Sequence, residues 1–286
     1  MNVQEKLELL RNDLNSRPLT SLRLEGWDKS ISWNVDNNDI CLWISNGKRL
    51  VLGKNLEHAD IKLSLTEEVL DRVYEKKMPF FLGLWATGDI KFEGSFSDAY
   101  KLGYLFLSDK RSRKIVFIAH CFLNINNRFP EGAAYPGSSL PLMQALLESG
   151  IGIVQMPCAE FKFLGAEKKL YGEIPPDVLR KNFRTLAEDV VNDIVSYLES
   201  GFEIVGIIGM NPSPSCGVEI TKGKETMMGT GRDMSEKPGS GLFIEELIAA
   251  AKDRGIDNLP IFGFRRTLPG ETGIEYRLTE LLKKLQ

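Results

Sequence analysis

From Lys114 onward the chain alternates short, unbroken apolar runs with longer amphipathic stretches. KIVFIAH (114–120) precedes SSLPLMQALLESG, IGIVQMP (151–157) precedes DVLRKNFRTLAEDVVNDIVSYLESG, and FEIVGIIGM (202–210) precedes GSGLFIEELIAAAKDRG; LPIFGF (259–264) then leads to a last helical stretch near 274–285. An apolar run without polar alternation belongs to a strand covered on both faces. Parallel neighbours need a crossover of a dozen or more residues, and the amphipathic stretches supply it. The pattern predicts an α/β domain with a mainly parallel sheet flanked by helices, of the Rossmann-like kind.

The segment before it reads differently. A polar, basic break, SDKRSRK (108–114), separates the two, and 286 residues suit two domains, 1–111 and 112–286. In the first, residues 4–15 have helical periodicity. ISWNV, DICLWIS and RLVLG read as strands of an antiparallel meander, turned at DNND (36–39) and NGK (46–48). LTEEVLDRVYEKK (65–77) reads as a helix with Thr66 or a neighbour as its cap, IKFEG as a strand and FSDAYKLGYLFL as a helix, so the domain is α+β. In the second domain, 221–241 is the one loose stretch, long enough for a lid or mobile loop.

A net charge of −3 argues against a broad nucleic-acid footprint or an anionic-membrane patch. No apolar run approaches the roughly 20 residues a membrane helix needs. The N-terminal stretch MNVQEKLELLRNDLN lacks the apolar centre of a signal peptide, so the expectation is a cytoplasmic protein. Its four cysteines are then free thiols, metal ligands or catalysts rather than a disulfide framework. Oligomeric state is left open.

Cys121 follows the first apolar run, Cys158 the second, and Cys216 the third after the Pro-rich turn NPSPSCG (211–217). Ligands of open α/β sheets bind outside the carboxyl ends of the strands, so all three thiols fall on the functional rim. Cys41, inside a strand of the first domain, reads as an ordinary small buried residue. Three readings remain for the trio. They are buried hydrophobes; they hold zinc with His120, although His120 and Cys121 on an extended segment would point apart; or they hold a 4Fe–4S cluster and leave one iron without a protein ligand.

At these residues the segment from 114 to about 264 resembles the thiouracil desulfurase family. HCFLNINNRF places Cys121 and Arg128 at the family spacing, PCAEF carries Cys158 and Glu160, and SPSCG (213–217) matches at every position; Gly239 and Gly241 match a glycine pair opening the next helix. Asn124 stands where the family has glycine, Ala159 where it has proline, and PEG after Arg128 is one residue longer. These departures bear on the substrate pocket.

The resemblance implies a cytoplasmic, oxygen-sensitive enzyme. Cys121, Cys158 and Cys216 would hold a 4Fe–4S cluster whose open iron takes the sulfur of a small thiolated molecule such as 2-thiouracil. It makes Glu160 and Ser213 catalytic, and Arg128, Asn124, Gly239 and Gly241 substrate-binding. Chemically, Glu160 is placed to take a proton from water and Ser213 to donate to an oxyanion. The alternatives are a solvated carboxylate for Glu160, a turn cap for Ser213, a surface ion pair for Arg128 and a tight helix entry for GSG (239–241). Arg265 or Arg266 would also reach the rim, whereas Lys222 and Lys224 read as solvated.

Residues 56–108 resemble the sterol carrier protein type two family, through ADIKLSLTEEVLDRVYEKK and GDIKFEG (88–94) followed by SFSDAYKLGYLF. That resemblance implies a fold able to hold an apolar ligand. Phe80, Phe81, Leu84 and Trp85 then either line a tunnel or pack the core. The alternative for the whole chain is a carrier of hydrophobic ligands whose second domain is structural.

Overall fold

The computed structural model describes residues 1–53, 59–107, 109–128, 132–265 and 273–285. It divides into two compact units, Met1–Lys110 and Arg111–Gln286.

In the first unit α1 (Val3–Ser16) opens on a capping box. Asn2 Oδ1 accepts from the Glu5 N–H at 2.8 Å, and Glu5 Oε2 accepts from the Asn2 N–H at 3.0 Å. Leu7, Leu10 and Leu14, three and four apart, form its buried stripe. After α2 (Thr20–Leu24) come β1 (Ser30–Val35), β2 (Asn38–Ser45), β3 (Leu50–Leu52) and β4 (Ile61–Leu65). Then follow α3 (Glu67–Tyr74), α4 (Phe80–Leu82), a π-helical turn at Gly83–Thr87, β5 (Lys91–Glu93) and α5 (Phe96–Phe106). The sheet runs β3-β2-β1-β4-β5. The first three strands form the expected meander, whereas β4 pairs parallel to β1 and antiparallel to β5. Thr66 caps α3, its Oγ1 accepting from the Val69 N–H at 3.2 Å.

Aromatic rings fill this core. Trp33 and Trp43 are fully buried with ring centres 4.6 Å apart, and Phe80 stacks on Phe106 at 3.9 Å. Phe80 is thus a core residue. Phe81 and Trp85 instead lie over α5, where a side chain on Gly103 would collide with Phe81, and Trp85 stays exposed. Cys41 is buried, and burial pushes its thiol up to about 11.

The second unit contains β6 (Lys114–Ile118), α6 (His120–Leu123), α7 (Leu140–Glu148), β7 (Gly152–Gln155), α8 (Ala159–Leu164), α9 (Pro176–Glu199) and β8 (Glu203–Asn211). It continues with β9 (Ile220–Lys222), α10 (Lys224–Met227), β10 (Glu236–Pro238), α11 (Leu242–Asp253), β11 (Ile261–Arg265) and α12 (Ile274–Lys284). The four-stranded sheet runs β11-β8-β6-β7, with every pair parallel. β8 is buried at every position after Glu203, as a central strand with both faces covered requires. Leu179, Phe183, Leu186, Val190 and Ile194 line one face of α9, which packs along α11; α7 packs with α12. Burying each such side chain contributes about 1.5–3 kcal/mol.

From β6 the chain crosses to β7 on one side and returns to β8 on the other. The strand order therefore reverses between β6 and β8, and a crevice opens there beyond the strand ends. The stretch 221–241 is not the loose lid expected. β9 and β10 pair antiparallel across it and α10 lies between them, with Lys237 bridging to Asp233 at 2.9 Å. Backbone pairing between Ile220–Lys222 and Glu236–Pro238 joins residues too far apart in sequence for a turn signal to reveal.

Candidate functional site

Three segments leave the carboxyl ends of β6, β7 and β8, and each carries one thiol. After β6 the Ala119 N–H still donates to Ile208 O at 2.8 Å, and the chain then turns into α6. His120 and Cys121 therefore lie on a helical turn, not on the extended segment expected. His120 Nδ1 is engaged by Gln155 Nε2 at 2.7 Å. After β7, Cys158 is the N-cap of α8, and its Sγ accepts from the Phe161 N–H at 3.4 Å.

The turn after β8 is fixed from several directions. Asn211 Oδ1 accepts from the N–H groups of Val218 (2.8 Å) and Ile220 (3.4 Å), tying the exit of the turn to its entry. The Asn211–Pro212 peptide is cis. Ser213 Oγ accepts from the Cys216 N–H at 3.0 Å and the Ser215 N–H at 3.3 Å. Ser213 is thus the turn's internal cap, the alternative given above, although it also borders the cavity. The start of α11 presses on the same turn. Leu242 N–H donates to Pro214 O, and the N–H groups of Phe243 and Ile244 both donate to Ser215 O. A side chain on Gly241 would sit 2.5 Å from that carbonyl, so this position has room only for glycine.

These segments bring Cys121, Cys158 and Cys216 to one cavity, about 10 Å³ in volume, close to the least that holds a water. Arg128, Asn127, Glu160, Lys168 and Ser215 also line it. Glu160 is not a solvated carboxylate. It is buried, it accepts from the Ser215 hydroxyl at 2.5 Å and it pairs with the Lys168 ammonium. Ser215 Oγ lies 3.6 Å from Cys216 Sγ, so one hydroxyl links the carboxylate to a thiol.

Charge within the cavity is unevenly placed. Burial pushes the Glu160 carboxyl up, but the Lys168 charge, with hydrogen bonds from Lys168 and Ser215, outweighs it and holds the group below the carboxylate range. Cys158 and Cys121 share a hydrogen bond. It raises Cys158, which keeps the proton, and lowers Cys121, which the Arg128 and Lys168 charges also favour as thiolate. Burial, and next the charge on Cys121, push Cys216 up to about 12. Burial lowers His120.

The other expected contacts fall elsewhere. Asn124 is exposed, and its Oδ1 accepts from Asn126 within its own turn; it does not border the cavity. Gly239 and Gly241 do not border it either; their N–H groups donate to Glu219 O and Gly217 O, and those that open α11 donate to Pro214 and Ser215 carbonyls. Arg265 pairs with Glu236 at 2.5 Å, and Lys224 Nζ donates to Glu245 at 2.6 Å and to Ser240 O at 3.0 Å. Arg266, and Pro130 and Glu131 of the lengthened PEG segment, lie outside the described residues. Asn127, Lys168 and Ser215 border the cavity without having been singled out in the sequence, although Ser215 lies inside the SPSCG motif.

Among the described residues, no group of three or more His, Cys, Asp or Glu side chains is placed to hold a metal ion. The donor set nevertheless suits a soft metal group. It comprises three thiols, one already shifted toward thiolate, with two cations near it to offset the charge. To hold such a group the hydrogen-bonded Cys121 and Cys158 must part.

No family model matches the chain. It is 24% identical over 117 residues to the uncharacterized protein MJ0003 of Methanocaldococcus jannaschii, a stretch covering 40% of this chain and 73% of that protein. Among solved structures, sterol carrier protein 2 like 2 from Aedes aegypti is similar at 17% identity and a TM-score of 0.28, covering 36% of this chain and 94% of that one. The ubiquinone synthesis protein UbiJ-SCP2 is similar at 17% identity and a TM-score of 0.27, covering 36% and 91%. The sec-alkylsulfatase Pisa1 from Pseudomonas sp. is similar at 19% identity and a TM-score of 0.26; this chain spans only 14% of its length and the match covers 32% of this chain.

Proposed function

We propose that the second unit is a desulfurase acting on a thiocarbonyl compound, with Cys121, Cys158 and Cys216 holding a 4Fe–4S cluster. The observation that carries this reading is that three thiols, delivered by the ends of three parallel strands, border one cavity at the place where strand order reverses. When bound, the cluster supplies a Lewis acid with affinity for sulfur.

The reaction balances as hydrolysis: a C=S group and one water give C=O and hydrogen sulfide. The protein's part is proton handling and placement. Glu160, kept ionised by Lys168, takes a proton from the attacking water. Ser215 holds Glu160 Oε1 in position beside Cys216. Ser213 keeps the turn closed behind the Cys216 thiol by binding its N–H, and Arg128 places a positive charge on the cavity wall.

Anaerobic purification tests the reading. The expected result is a brown protein with about four irons and matching acid-labile sulfide, lost in Cys121→Ala, Cys158→Ala and Cys216→Ala. A colourless wild type that reconstitution cannot load rejects it.

A second reading concerns the first unit: a carrier of hydrophobic ligands, to which the second unit is structural. Sterol carrier protein folds are among the solved structures to which this chain is similar. Within the chain itself, Leu82, Trp85 and Phe96 leave apolar surface exposed around the π-helical turn. Native mass spectrometry should then detect copurified lipid, which a Cys216→Ala protein retains; delipidated protein that takes up no fatty acid rejects this reading.

A further inference from the structure

Asn127 occupies the last position of a short helical turn, Ile125–Asn127, and is 6% exposed. Its side chain borders the thiol cavity, with Oδ1 3.8 Å from Cys121 Sγ, while Nδ2 is buried and has no partner among the described residues. The next residue repeats the pattern. Among the described residues, Arg128 Nε is buried without a partner, and Nη1 meets the thioether of Met210, at 3.0 Å, a weak acceptor. Buried donors left unpaired are uncommon because each has lost its water without gaining a protein acceptor.

Two of the acceptor groups that border this cavity already have partners. Glu160 receives Ser215 and Lys168, and Ser213 Oγ receives two backbone N–H groups. The wall formed by Asn127 and Arg128 offers donors that no group among the described residues uses. We propose that Asn127, assisted by Arg128, is a specificity-determining residue that selects ligands presenting an oxo oxygen to the thiol cavity. A site built around unpaired donors discriminates strongly against ligands without the matching acceptor. The inference rests on the reading of this cavity as the reaction site.

The test is calorimetric titration of uracil, which has oxo oxygens and no sulfur, into the purified full-length chain. The wild type is expected to bind, with Cys121 and Cys158 parting to admit the ring to a cavity that now holds little more than a water, and Asn127→Leu to bind about 3- to 10-fold more weakly, as for loss of one neutral hydrogen bond. Asn127→Asp, of the same shape but with acceptors in place of donors, is expected to lose at least as much. Its retained shape keeps the test valid should Asn127→Leu fold poorly. A wild type that does not bind uracil, or an Asn127→Asp variant that binds as tightly as wild type, overturns the inference. Sulfide release from 2-thiouracil is assayed separately. If it is absent in a wild type that still binds uracil through Asn127, the desulfurase reading fails while the acceptor selection stands.

Discussion

Lys168 and Glu160 form an ion pair within the thiol cavity, and neither side chain is more than a tenth exposed. A pair this dry is stable only while both members are present, because either charge alone is buried without compensation. Lys168→Met is therefore expected to destabilise the second unit by about 3–5 kcal/mol. The double variant Lys168→Met, Glu160→Gln should recover much of that loss, because the uncompensated charge is gone. Urea denaturation at pH 7 reads both, and equal losses in the single and double variants would show that the pairing does not matter.

The thiols should differ in reactivity before any metal is bound. Cys121 is held below the ordinary thiol range by the hydrogen bond from Cys158 and by Arg128, whereas Cys216 is pushed up to about 12. Only a thiolate attacks iodoacetamide. In metal-free protein at pH 8, Cys121 is expected to alkylate first, with a rate midpoint below that of a free cysteine, and Cys216 to be almost inert. Cys158→Ala removes the donor and should shift the Cys121 midpoint upward. Peptide mass spectrometry across a pH series measures each site; equal rates for Cys121 and Cys216 would contradict the assigned proton positions.

How much of this was legible in the sequence differs from residue to residue. Unbroken apolar runs such as FEIVGIIGM mark buried strands because covering both faces leaves no place for polar side chains. The thiols after them could therefore be placed on one rim without coordinates. Lys168 could not. It reaches the cavity through two successive residues with positive φ, Glu167 (55°) and Lys168 (56°), a conformation normally signalled by Gly, Asn or Asp. Asn124 and Asn127 are three residues apart, and only the tight turn at Ile125–Asn127 decides which faces the thiols. The parallel pairing of β4 with β1 was equally hidden, since register between distant strands depends on packing rather than on local pattern.

In the first unit, Asp98 should make stability depend on pH. It is buried near the start of α5, where it accepts from Trp27 Nε1 at 2.8 Å and from the Ser95 hydroxyl at 2.7 Å. Burial opposes its charge, but those hydrogen bonds and Lys29 prevail, so its folded pKa lies below the ordinary value. A depressed carboxylate stabilises fully above its unfolded pKa, about 3.9, and that stability is lost as pH falls through the folded value. Asp98→Asn should cost about 1–3 kcal/mol at pH 7 and much less at pH 2. Urea midpoints of wild type and variant at the two pH values decide it; a constant difference would mean that the carboxylate's charge contributes nothing.

Gly241 tests whether the turn carrying Cys216 is held in place from outside. Its φ of −72° is open to any residue, so the requirement for glycine is purely steric: a Cβ would meet the Ser215 carbonyl at 2.5 Å. Gly241→Ala must therefore push the 213–217 turn away from the start of α11, where Leu242, Phe243 and Ile244 N–H groups bind it. Overpacking of this kind costs about 1–3 kcal/mol. Because the turn's other end is anchored by Asn211 to Val218 and Ile220, the displacement should fall on Ser215 and Cys216. If the three thiols hold the proposed cluster, the variant is expected to fold with lowered stability and to bind iron with reduced occupancy, whereas Gly255→Ala, at a positive-φ helix end far along the chain from the turn, should lose stability with iron content unchanged. Equal iron content in Gly241→Ala and wild type would show that Cys216 does not depend on this contact.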